Sequence, residues 1–180
     1  MYKRQDLDVR FVSVTEQWAQ FAVSGPRSRD VISSILDEPL NKKDWPFMAC
    51  GDVKVMGIKA RLFRISFSGE LGFELAIPSR YGASLFNVLK LEAEQHGGGI
   101  YGMEAMNVMR LEKGFITHAE IDGRATAYDV GMQRMLSQKK DFIGNKMAQR
   151  PGLLDPKRER LVGLKMKGST SSLKAGSQLF

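Results

Sequence analysis

A chain of 180 residues, 43% of them hydrophobic, buries the core of one domain or of one domain plus part of another, and its apolar runs fall far short of the ~20 residues needed to span a bilayer. Cys50 stands alone, which excludes an intrachain disulfide, and with only His96 and His118 beside it no metal site is expected. The formal net charge of +7 lies wholly in residues 139–180, where 10 Lys+Arg face 3 Asp+Glu; residues 1–138 balance at 17 each.

In chain order, Met1–Asp6 leads into no apolar signal region, so the expected address is cytoplasmic. Phe11–Val14 and Trp18–Val23 read as short strands, and Ser24-Gly25-Pro26 ends the second and opens a helix over 26–37 with Val31, Ile32, Ile35 and Leu36 on one face. Two alternating runs, Asp52–Met56 and Ala60–Phe67, flank Gly57 and predict a hairpin. Ser68–Gly72 forms a turn and Phe73–Ile77 the next strand.

Pro78-Ser79-Arg80 starts a second helix, with Tyr81, Leu85, Val88 and Leu89 inward, which ends at Gly97-Gly98-Gly99. A third runs from about Tyr101 to Lys113, with Met106 and Met109 inward and Gly114 as its stop. This order predicts an α+β fold, a ferredoxin-like antiparallel sheet with helices on one face. Further on, Asp141–Gln149 is a candidate short helix, Pro151–Pro156 a linker, and Arg160–Met166 the first strand of a C-terminal β-barrel. The expected division is a domain over 1–150, incomplete at its N-terminus, and a truncated second unit over 151–180; the chain reads as a piece of a longer polypeptide.

Residues 97–102 satisfy G-x-G-x-x-G, yet they follow a helix carrying Glu92, Glu94 and Gln95 rather than a buried parallel strand, so a helix-ending glycine run is the better reading. Neither a nucleophile elbow nor a Walker loop occurs, and the catalytic residues are unknown. What remains is a binding constellation. Glu74 sits on a strand between Phe73 and Leu75, where its carboxylate must either face water or accept specific hydrogen bonds. Arg110 lies near the end of the third helix; a salt bridge, a contact with the helix C-terminus and ligand binding all remain open for it. The basic C-terminal stretch is read as a solvated face or a surface for an acidic domain, and nucleic acid is the weaker alternative because no aromatic residues are interleaved for stacking.

Four segments resemble the aminomethyltransferase family, the glycine-cleavage T-proteins among them: Gly25-Pro26-Arg27-Ser28-Arg29-Asp30-Val31, Phe67-Ser68-Gly69-Glu70-Leu71-Gly72-Phe73-Glu74, Tyr101–Ala105 with Met109–Phe115, and Asp141-Phe142-Ile143-Gly144. Glu112-Lys113-Gly114-Phe115, Asp122-Gly123, Lys139-Lys140-Asp141-Phe142 and Gln149-Arg150-Pro151 are similar to the sarcosine oxidase alpha-subunit branch. The resemblance implies tetrahydrofolate as ligand, with Glu74 and Arg110 on the pterin; Phe67, Tyr101 and Phe115 are the candidates for its apolar walls. A carboxylate suits the pterin's adjacent 2-amino and N3–H donors, and a guanidinium its acceptors. Where the T-proteins have a tyrosine eight residues after that arginine, His118 stands here.

The resemblance further implies an oxidoreductase that passes the one-carbon unit of sarcosine to tetrahydrofolate, with flavin and NAD held outside this chain and beta, gamma and delta subunits as partners. The acidic residue tied to one-carbon transfer would lie in a half of the family fold that this chain lacks, so little turnover is expected of it alone. A glycine-cleavage-type aminomethyltransferase and a non-catalytic folate- or nucleic-acid-binding module are the alternatives.

Overall fold

The structure, a computed structural model, describes residues 8–165 together with Lys167, Gly168 and Gly176. The chain divides into two compact units, Met1–Phe115 and Ile116–Phe180.

Four strands form the sheet of the first unit: β1 (Trp18–Ser24), β2 (Cys50–Val55), β3 (Ile58–Phe63) and β4 (Gly72–Pro78). Their order is β1-β4-β3-β2, antiparallel throughout. Cross-strand partners share a face, so the pairs Ala19↔Ile77, Phe21↔Leu75, Val23↔Phe73 and Leu62↔Leu75 place one apolar layer on one side. Helix α1 (Ser28–Ile35) covers that layer with Val31, Ile32 and Ile35, and helix α2 (Gly82–Gln95) covers it with Leu85 and Leu89. The expected α+β sheet with helices on one face therefore forms. Its ferredoxin-like strand order does not: β2, β3 and β4 run consecutively as a meander before α2, and β1 closes on β4 instead of lying inside the sheet.

Local chemistry explains the boundaries. Val55 pairs with Ile58 across Met56 (φ 49°) and Gly57 (φ 79°), a two-residue turn with both residues left-handed, as the right-handed twist of a hairpin demands. Asp37 Oδ2 accepts the Gly57 N–H at 2.8 Å, and Leu36 bridges to Val55, so the chain leaving α1 ties down this turn. Strand β3 ends at Phe63, short of the expected Phe67, although Arg64 keeps two further backbone bonds to Met48 and Ala49. Phe11–Val14 is not a strand; these residues are exposed, with no ladder partner among the described residues.

Helix α2 stops as the glycine run predicts. Gly97 is left-handed, and the N–H groups of Gly97 and Gly98 close on the carbonyls of Glu94 and Ala93. Helix α3 (Met103–Lys113) stops in the same way, with Gly114 at φ 79° and Phe115 N–H on the Arg110 carbonyl. Met106 and Met109 are half-buried, in keeping with the inward face expected of them.

Among the described residues the second unit is built of turns, a 3-10 turn (Gln133–Met135) and two one-turn helices, α4 (Asn145–Ala148) and α5 (Pro151–Leu154). Helix α5 occupies the segment read as a linker. The Asp129 carboxylate organises this unit: it accepts from Thr126 N and Oγ1 and from Arg158 Nε and Nη2, and the Leu161 N–H donates to its backbone carbonyl. These donors, the Arg158 guanidinium first, hold the Asp129 carboxyl well below the usual carboxylate range. Residues 160–165 form no strand, so the expected start of a β-barrel is not seen there. Leu161, Val162 and Leu164 are exposed, and a strand needs a neighbour to pair with. Met166, the last residue of that expected strand, lies outside the described residues, as do residues 169–175 and 177–180.

Candidate functional site

The turn before β4 is assembled by short polar side chains. Ser66 Oγ accepts the Gly69 N–H, Ser68 Oγ accepts the Glu70 N–H, and Arg64 Nη1 donates to the Gly72 carbonyl at 3.1 Å. The Leu71 carbonyl receives both the Gly25 N–H and Ser28 Oγ at 2.8 Å, so the glycine-proline segment and the glycine-glutamate turn meet at one atom. Arg64 and Arg29 both lie against the ring of Phe73, at 5.3 and 5.0 Å from its centroid. Burial, and then the nearby Arg29 charge, lower the Arg64 guanidinium from its ordinary pKa.

From this turn β4 carries Glu74 onto the sheet face opposite the helices, with Ala22 and Phe63 as its cross-strand partners. Its flanking residues Phe73 and Leu75 are fully buried on the helix side, which is why the alternation sends the carboxylate the other way. Gln20 Nε2 on β1 donates to Glu74 Oε2. On the same face the Arg61 guanidinium stacks 4.7 Å from the Trp18 ring. Arg110, 5% exposed, donates from Nη1 to the Phe115 carbonyl at 3.0 Å, across the end of its own helix. Phe115 itself is half-buried, and Phe67 stands half-open on the loop before β4.

Beside β1 lies a hollow of about 620 Å³, lined by β1, the start of α1, α2 and the chain entering α3. Gln20, Phe21, Phe86 and Tyr101 are among its walls. Tyr101 thus reaches this hollow directly and Glu74 touches it through Gln20; Glu74, Arg110, Phe67 and Phe115 are not among its lining residues. Gln20 carries no local signal of a role, because its hydrogen bond to Glu74 depends on the pairing of β1 with β4, which no spacing in the sequence announces. The hollow is equally hidden from the sequence, since it joins residues 20–31 to residues 86–106. No helix among the described residues is long and apolar enough to cross a membrane.

An antiparallel sheet backed by two helices presents the Glu74 carboxylate on its other face after the serine-glycine-glutamate turn, and the chain belongs to the GCVT N-terminal domain family, which matches residues 1–140. It is 43% identical to sarcosine oxidase subunit alpha of Rhizobium meliloti (strain 1021), over 96% of this chain and 18% of that protein. Human mitochondrial dimethylglycine dehydrogenase is 29% identical over 76% of the chain and 16% of its own length. An aminomethyltransferase of Thermoanaerobacter sp. (strain X514) is 26% identical over 88% of the chain and 43% of its own length. The chain thus spans about a fifth of the length of the sarcosine oxidase alpha subunits that it matches.

Proposed function

We propose that this chain is the tetrahydrofolate-binding module of a sarcosine oxidase alpha subunit, an oxidoreductase acting in the cytoplasm. In such an enzyme the module accepts the one-carbon unit released from sarcosine, giving 5,10-methylenetetrahydrofolate. Flavin and NAD belong outside this chain, and the beta, gamma and delta subunits are the partners. By itself the chain is proposed to turn over little or nothing.

The observation that carries the reading is Glu74, set on β4 by a signature turn and fixed by Gln20. One hydrogen bond from Gln20 leaves the carboxylate with lone pairs for two further donors. Those lone pairs fit the adjacent 2-amino and N3–H groups of a pterin, which is the recognition proposed for Glu74. Arg110 is proposed as the second pterin contact, and Tyr101, Phe67 and Phe115 as walls. When bound, tetrahydrofolate supplies the nitrogens that take up the one-carbon unit; the chain's own residues bind and orient it. A second reading, a glycine-cleavage-type aminomethyltransferase, is favoured by the likeness to the Thermoanaerobacter protein.

Calorimetry with folinic acid on this chain and on Glu74→Ala tests the proposal. Removing the acceptor of a buried donor pair is expected to weaken binding by about 1–3 kcal/mol. Equal affinities would assign Glu74 to the sheet surface alone and end the folate reading at this residue.

A further inference from the structure

The hollow beside β1 has a charge pattern that the folate reading does not use. Its floor is apolar and aromatic: Phe21 and Phe86 pack with ring centroids 5.8 Å apart, tilted by 41°, and Tyr101 stands on the wall. The ionisable side chains among its described lining residues are Arg27, Lys90, His96 and Tyr101; none is Asp or Glu. Arg27 is tied only loosely, by one bond of 3.3 Å from Nη1 to the His96 carbonyl. Lys90 approaches Glu94 at 3.8 Å, a solvent-screened pair of successive helical turns, worth little. His96 Nδ1 sits 2.8 Å from the Glu92 carbonyl, which can only accept, so Nδ1 carries the proton and Nε2 is left for other partners.

A volume of about 620 Å³ falls within the ~300–1,000 Å³ range of small-molecule sites, which are mostly apolar with a few polar groups that fix orientation. From this volume, the aromatic floor and the one-signed rim, we infer that the hollow is a binding site for a small molecule with a flat aromatic body and an anionic end. The body lies against Phe21 and Phe86, and the anion is received by Arg27 and Lys90. This goes beyond the folate reading, because neither Glu74 nor Arg110 lines the hollow; of the residues proposed for the pterin, Tyr101 alone is shared with it.

The test uses the full chain and two probes of one shape, 2-naphthoate and the neutral 2-naphthalenemethanol, titrated by calorimetry, with amide shift changes to locate them. Naphthoate is expected to bind about tenfold tighter than the alcohol, the worth of one charge-assisted contact, with shifts concentrated in 20–31 and 86–106. In Arg27→Gln/Lys90→Gln that advantage is expected to vanish while the affinity of the alcohol and the unfolding midpoint stay put. Equal affinity for acid and alcohol in the unaltered chain, or an undiminished preference in the double variant, would overturn the inference. Folinic acid separates the two readings. If it binds in a Glu74-dependent way while naphthoate does not bind, the hollow is no anion site and the folate reading stands. Charge-dependent naphthoate binding without folinic acid binding establishes the hollow and ends the folate reading.

Discussion

Lys113, at the end of α3, lies directly over the backbone of Gly69 in the turn before β4. A Cβ at Gly69 would come within 2.4 Å of Lys113 Cγ and 2.7 Å of its Cβ. The two signature segments, one on a turn and one on a helix end, are thus packed against each other. Gly69 also holds φ +84°, which costs an L-residue roughly 1–2 kcal/mol. Gly57 shares the positive φ but has nothing within 4 Å of its would-be Cβ. Gly69→Ala is therefore expected to lower stability more than Gly57→Ala, and denaturant titration of both variants checks it. Equal losses would mean that α3 yields freely.

Met56 is a left-handed non-glycine residue, 69% exposed, in the β2–β3 turn. Asparagine tolerates that conformation, so Met56→Asn is expected to recover part of the roughly 1–2 kcal/mol of backbone cost. Exposure means that little packing is lost. A raised thermal midpoint is the readout.

Leu62 on β3 is fully buried against Leu75 and belongs to the cluster shared with α1 and α2. Leu62→Ala should cost about 2–5 kcal/mol by chemical denaturation, the range for a core leucine whose cavity only partly collapses.

Acid should loosen the second unit through Asp129. A carboxyl held below its ordinary value takes up its proton at lower pH in the folded state than in the unfolded one. Its stabilisation is complete above the unfolded pKa of about 3.9 and is lost as pH falls toward the folded value. Protection of the Leu161 amide, which bonds to the Asp129 carbonyl, is expected to hold at neutral pH and fall as pH drops below about 4. Asp129→Asn should flatten that dependence.

How much of the molecule is legible in the sequence follows the range of the interactions. The β2–β3 hairpin, the ends of α2 and α3, and the turn before β4 are written within a few residues of one another, by alternation and by Gly57, Gly97, Gly114 and Gly69. Phe11–Val14 and residues 160–165 carry strand-like apolar residues but pair with nothing among the described residues as a ladder, because alternation marks a face and does not supply a partner. The strand order and the bond from Gln20 to Glu74 both depend on β1 finding β4, a long-range choice that no local signal encodes. Glu74 can be singled out as an acidic residue on a strand; what holds it cannot.

That same pairing bears on the order of assembly. The β2–β3–β4 meander closes short loops, whereas joining Trp18 to Pro78 and Ser24 to Gly72 encloses the whole intervening chain. Long loops are closed at an entropic penalty before any contact rewards them, so β1 is expected to dock on a meander already formed. Because Gln20 rides on β1, Glu74 has its hydrogen-bond partner only where β1 is docked, so the carboxylate is expected to be organised late, when the nascent sheet gains its fourth strand.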